Sequence, residues 1–274
     1  MKRIKRHISI AALVGATALT GWLLPACATK KSETLSPGTE IVGTEVSTGN
    51  TNTTTPLVTQ PQAQTVQYIK VTSSGVNIRS GAGSGCSALG VAEQNTLYAL
   101  SGESDGWYKT YYKHNTAYIS AKYCKIVQMD KSANEQIESV IEQGYKCLGV
   151  KYVYGAVRYH DGKGNRLSGF TTSAFDCSSL MQYMFKIGAG VNLQVNTRTQ
   201  IYQGTTVKKS NLKRGDLMFF TNASRKNNTG IERVGHVAMY LGDNYILHTA
   251  SDYAKIEQIS TTRWSYYIQA QRIL

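Results

Sequence analysis

Phenylalanine is scarce in this chain of 274 residues: five Phe stand against eighteen Tyr. That balance favours a pleated, half-exposed β surface over a helical bundle. Acidic residues are also few, 17 against 30 Lys and Arg, for a formal charge of +13. Lys2, Arg3, Lys5 and Arg6 precede an apolar run, and setting those four aside leaves +9 of the +13. The remaining basic residues are scattered rather than packed into one block. A solvated basic surface, suited to an anionic envelope, is therefore expected, and no nucleic-acid partner. No His/Cys/Asp spacing resembles a zinc site and no Gly-rich loop follows a strand, so no cofactor or metal is expected. Beyond residue 24 no stretch is long and apolar enough to cross a bilayer, and no repeats are evident. The apolar fraction of 41 % supports a real core and excludes a wholly disordered chain. The length fits one large domain or two smaller ones.

What is present begins with an address. A basic stretch, Met1 to His7, is followed by an apolar run from Ile8 to Leu24. The order reads as a secretory signal peptide over 1–26. It ends in Leu24-Pro25-Ala26-Cys27, which resembles a bacterial lipobox, with Cys27 as the lipidated residue. Segment 27–65 is rich in Thr, Ser, Gly and Gln and reads as a flexible tether reaching on the order of 35 Å. The expected location is the cell envelope: exported and lipid-anchored, at the outer membrane or on the periplasmic face.

From residue 66 the pattern turns β, with short runs punctuated by Gly and Ser. Tyr68–Val71, Val76–Arg79, Leu97–Leu100, Trp107–Thr110 and Ala117–Ser120 imply a small barrel. Val76-Asn77-Ile78-Arg79-Ser80-Gly81, Gly106-Trp107-Tyr108-Lys109 and Ala117-Tyr118-Ile119-Ser120 resemble the bacterial SH3 domain, over 66–128. Trp107, Tyr112 and Tyr118 are read singly as barrel core.

After a short polar join, Ile137, Val140, Ile141, Tyr145 and Leu148 recur at helical spacing, with Gly149 as a stop. Leu180, Met181, Met184 and Phe185 imply a second helix ending near Gly188. Strands are expected at Leu217–Thr221, His236–Leu241, Tyr245–Thr249 and Tyr266–Arg272. Helices followed by a meandering sheet indicate an α+β domain.

Chemistry gathers at Phe175-Asp176-Cys177-Ser178-Ser179-Leu180. Cys177 falls at a helix start, where the helix dipole and unpaired backbone donors favour thiolate. Asp176 has a plain reading as N-cap. A base for the thiol is expected in His236, with His248 on the following strand. If the hairpin centres on Gly242, the two His share a sheet face. A centre between Gly242 and Asp243 would put them on opposite faces. Joint action needs an odd-numbered loop or a bulge that restores register.

Tyr152-Val153-Tyr154-Gly155-Ala156, the Cys177 segment, Arg214-Gly215-Asp216-Leu217, Gly235-His236-Val237-Ala238-Met239-Tyr240-Leu241-Gly242 and Ile246-Leu247-His248-Thr249-Ala250 resemble, in order, the NlpC-type cell-wall cysteine peptidases, over 133–274. The resemblance implies a papain-like fold, a Cys-His-His triad and cleavage of peptidoglycan stem peptides. It makes Cys177 the nucleophile, His236 the base, His248 the orienting residue and Tyr152 an oxyanion donor. Asp176 would bind the free amine of the stem's first L-Ala, with the γ-D-glutamyl–diamino acid bond cut in a monomer.

The chain departs from that pattern. Ala156 and Ser179 stand where Gly is usual, Tyr154 where Trp is, and Gln194-Val195 where Pro-Arg is. The loop between Ala156 and Phe175 is long and could reshape the substrate entrance. Its His160 is read as a solvated loop-tip residue rather than a catalytic partner. Segment Ser224 to Arg233 is also long and basic. Cys86 and Cys124 lie in one module and could pair; Cys147 is read as core. Rival readings are a cross-link endopeptidase or amidase on the same scaffold, or a non-catalytic wall-binding lipoprotein.

Overall fold

The computed structural model describes residues 64–274. Cys27, the signal segment and nearly all of the tether lie outside the described residues. The first part is all β: β1 Thr65–Val71, β2 Val76–Arg79, β3 Ala88–Ala92, β4 Leu97–Ala99, β5 Gly102–Ser104, β6 Trp107–Tyr112, β7 Asn115–Ser120 and β8 Cys124–Asp130. One sheet runs β3-β2-β7-β6-β5, while β1 lies between β4 and β8 in another. Alternation explains the inward face, since Val76 and Ile78 are buried and Asn77 is exposed. Of the three aromatics read as barrel core, Tyr112 is buried, whereas Trp107 and Tyr118 are half-buried.

The second part carries α1 Glu135–Lys146, β9 Lys151–Tyr152, β10 Ala174–Phe175, α2 Cys177–Ala189, α3 Thr197–Gln200, β11 Thr205–Val207, β12 Leu217–Phe220, β13 His236–Gly242, β14 Tyr245–Ala250, β15 Tyr253–Gln258, α4 Thr261–Ser265 and β16 Tyr267–Arg272. α1 starts at an Asn134 cap whose side chain accepts from the Gln136 amide, and it buries Ile137, Val140, Ile141 and Tyr145. α2 runs past the expected stop and closes at Gly190, a left-handed cap. Gly188 sits inside the helix because α1 crosses there: a Cβ would lie 2.5 Å from the Val140 backbone. No helix among the described residues is long and apolar enough to cross a membrane.

The antiparallel sheet β11-β16-β12-β13-β14-β15 supports both helices and continues into the first module, where Ile256 of β15 pairs with Leu97 of β4. The join is reinforced by charge. Arg214 donates to Glu138 Oε1 and Oε2 on α1, to Tyr145 on the same helix, and to Tyr68 of β1. Gly215 follows with φ +97°, and a Cβ there would strike Ile137 at 2.5 Å. Tyr112 lies over Gly149, where a side chain would have no room. Cys124 is unpaired, so no Cys86–Cys124 disulfide forms, and Cys147 is a buried free thiol.

Candidate active site

Cys177 opens α2, and its preceding residue caps the helix reciprocally. Asp176 Oδ1 accepts from the Ser179 amide at 2.8 Å, while the Asp176 amide donates to Ser179 Oγ at 2.9 Å. Ser179, standing where Gly is usual, thus completes a capping box. The parallel bridge between β9 and β10 sets Tyr152 level with Phe175, two residues before the thiol. Cys177 and Tyr152 line a cavity of about 240 Å³. Tyr152 also lines an adjacent cavity of about 350 Å³ with His236 and Gly235.

The two histidines meet because the strand bulges. The β13–β14 turn is Asp243-Asn244, both at positive φ (47° and 65°), with Gly242 opposite Tyr245. An even loop alone would send His236 and His248 to opposite faces. Register shifts between Tyr240 and Gly242, after which Tyr240 pairs with Ile246 and Met239 with Leu247. The extra residue restores the common face. The rings stand 5.1 Å apart, with Nε2 of His236 2.9 Å from Nδ1 of His248.

A fourth residue fixes the proton positions. Glu257, on β15, accepts a hydrogen bond from His248 Nε2 at 3.0 Å and another from Arg263 at 3.0 Å. A His248 that donates through Nε2 and is neutral must accept through Nδ1. His236 then carries its proton on Nε2 and presents bare Nδ1, the atom a thiol proton needs. Sequence reading missed both β15 and Glu257. Their signal was period-two alternation, with Ala254 and Ile256 buried between half-exposed Tyr253, Lys255 and Glu257.

Burial sets the charge states. It pushes the Cys177 thiol up to about 12, with Asp176 adding to the rise; the amides of Val237 and Ser178 oppose it. Burial holds His236 well below its ordinary value, with His248 and Arg263 adding to the drop. Burial also lowers His248, against the hydrogen bond to Glu257. Glu257 itself falls to about 2, since the bond to His248 and the nearby Arg263 outweigh its burial. Burial thus favours the neutral thiol and the neutral imidazole. The thiolate favoured at a helix start is opposed here by burial, which costs the anion more than the neighbouring backbone amides return.

The Val237 amide that opposes the rise of the thiol belongs to the residue after His236, so β13 brings its backbone to the sulfur. Among the described residues no hydrogen bond joins the sulfur to either ring. Asp176 is engaged on every side: Oδ1 also accepts from Ser178 Oγ, and Oδ2 accepts from the Gly155 amide at 3.2 Å and Arg158 at 2.8 Å. His160 is fully buried rather than solvated, its Nδ1 accepting from the Gly162 amide. It lines neither cavity beside the thiol.

Residues 149–272 match the NlpC/P60 family and residues 74–125 match the Bacterial SH3 domain. Over 137 residues the chain is 33 % identical to "Peptidoglycan endopeptidase RipA" of Mycolicibacterium smegmatis, covering 49 % of this chain and 25 % of that protein. It is 35 % identical over 121 residues to "Murein DD-endopeptidase MepS/Murein LD-carboxypeptidase" of Escherichia coli K12, covering 43 % of this chain and 60 % of the relative. It is 28 % identical over 165 residues to "Gamma-DL-glutamyl hydrolase" of Bacillus subtilis, covering 60 % and 35 %. The chain therefore spans between a quarter and three fifths of these relatives' lengths.

Proposed function

Because residues 149–272 are an NlpC/P60 domain and residues 74–125 a bacterial SH3 domain, we propose that this protein hydrolyses peptidoglycan stem peptides as a cysteine endopeptidase. The observation that carries the reading is the relay Glu257–His248–His236, whose proton positions leave His236 Nδ1 as base. Cys177 is the nucleophile, His236 the base and His248 its orienting partner. As the sulfur attacks the scissile carbonyl carbon, its proton passes to His236 Nδ1. The oxyanion takes hydrogen bonds from the Cys177 amide and the Tyr152 hydroxyl. The C–N bond breaks, the leaving amine takes the proton from His236, and a thioester remains. Water then attacks the thioester carbon, giving a proton to His236. The C–S bond breaks and the thiol is restored.

The bond proposed is γ-D-glutamyl–diamino acid, a choice supported by the SH3-bearing resemblance and by the relative named a γ-DL-glutamyl hydrolase. The relative named a DD-endopeptidase favours cross-link cleavage as the second reading. We place the SH3-like module at 66–128 and the peptidase at 133–274. The wall substrate puts the protein in the cell envelope, with the signal over 1–26, lipid on Cys27 and a tether to 65. Mass spectrometry of defined muropeptide digests tests the reading: the wild-type chain releases a peptide ending in D-Glu and Cys177→Ala does not. Equal cleavage by Cys177→Ala overturns it.

A further inference from the structure

The loop after Ala156 brings a permanent cation to Asp176. Arg158 is locked from three directions: it donates to the carbonyls of Val195 and Ala156 and to Ser178 Oγ. Its remaining reach ends on Asp176 Oδ2 at 2.8 Å, with Arg158 only 20 % and Asp176 only 4 % exposed. With the Gly155, Ser178 and Ser179 donors, all of the carboxylate's acceptor sites are used. Among the described residues Asp176 is the only acid lining the cavity of about 240 Å³ that holds Cys177, whereas Arg158, Arg198 and Arg225 all line it. Glu232 takes Arg225 at 3.0 Å but holds Arg198 only at 3.5 Å. A substrate ammonium entering here would meet a spent carboxylate and unspent guanidinium charge. Like charges brought together at such a site are a device for rejecting the wrong ligand.

We propose that Arg158 is a specificity-determining residue: it occupies the place of a substrate ammonium, so the cleft beside Cys177 selects stem peptides whose amino terminus is acylated over those with a free amine. The inference rests on the peptidase reading, and it reverses the free-amine role expected of Asp176. The chemical class it names is N-acyl peptide, meaning stems still joined through their first residue.

Two measurements test it separately from that reading. The first compares cleavage of a γ-D-glutamyl tripeptide with a free amino terminus against its N-acetylated twin, in wild type and Arg158→Gln. Wild type is expected to favour the acetylated peptide by at least about tenfold, and Arg158→Gln to move the ratio toward the free amine by a similar factor. Preference of wild type for the free-amine peptide overturns the proposal, and that arm needs no variant to fold. The second compares alkylation of Cys177 by cationic 2-bromoethylamine and neutral iodoacetamide, each normalised to free cysteine. Wild type is expected to discriminate against the cation, and Arg158→Gln to lose that discrimination. Equal normalised rates in wild type overturn the proposal. If neither peptide is cleaved, the peptidase reading fails while the alkylation ratio still decides the charge of the cleft.

Discussion

Glu257 accepts a hydrogen bond from Nε2 of His248 at 3.0 Å, and that one contact sets the proton on the far side of both imidazoles. Replacing the acid by an amide would let Nε2 of His248 accept instead. His248 Nδ1 would then donate to His236 Nε2, moving the His236 proton onto Nδ1, the atom proposed as base. Glu257→Gln is expected to lower kcat/KM by about 10²–10⁴-fold, the scale of a wrong-tautomer defect. Steady-state kinetics with a muropeptide substrate measure it; Glu257→Asp should recover part of the loss. An unchanged rate in Glu257→Gln would remove the acid from the relay.

Stability should fall on the acid side. Both His236 and His248 are held below 6.5 in the folded chain, so the unfolded chain binds more protons as pH drops through that value. Each depressed histidine stabilises the fold above about pH 6.5, and that contribution shrinks by up to about 1.4 kcal/mol per pH unit below it. Glu257, lowered to about 2, adds a second loss in the same direction below about pH 4.5. Urea unfolding from pH 7.5 to 5 reads the first window. His248→Asn should flatten the slope there, even where its neutral stability is lower.

Labelling of Cys177 should climb with alkalinity. A thiol pushed up to about 12 is almost wholly protonated at neutral pH. Its iodoacetamide rate is expected to rise about tenfold per pH unit between 7 and 9, with no plateau on the acid side. Peptide mapping separates it from Cys124 and Cys147, the other free thiols among the described residues. A plateau reached by pH 5 would point to an ion pair at rest.

Arg214 is nearly enclosed, and so is its partner Glu138, at 5 % and 12 % exposure. Removing one member of such a pair strands the other, at a cost of about 3–5 kcal/mol. Arg214→Ala should therefore lower the unfolding midpoint sharply, while Arg214→Ala with Glu138→Leu recovers part of it. Denaturant titration of Arg214→Ala, Glu138→Leu and the double variant against wild type checks the cycle.

Much of this architecture is legible in the sequence, and for physical reasons. Helical spacing at Ile137, Val140, Ile141 and Tyr145 predicts α1 because one face must be buried. The strands at Leu217, His236 and Tyr245 are marked by apolar runs between turn residues. The NlpC-type and SH3-like resemblances rest on local motifs, and the domain matches agree with them. Long-range geometry is less legible. The expectation left the register of His236 and His248 open because a bulge at Leu241 decides it, and no local composition marks that bulge. Glu257 lies in a strand whose polar face hides it. Arg158 acts through a loop, where no periodicity applies, and His160 in that loop is enclosed by the same tertiary packing. The charge state of Cys177 follows from its surroundings in space, which chain order does not record.

The pairing of Ile256 with Leu97 makes the SH3-like module the neighbour that shields the outer margin of the sheet carrying His236 and His248. A truncated chain beginning after residue 130 would bare β15 around Ile256, in the very strand that carries Glu257. Such a fragment invites strand-to-strand clumping, so the barrel serves as a molecular bookend.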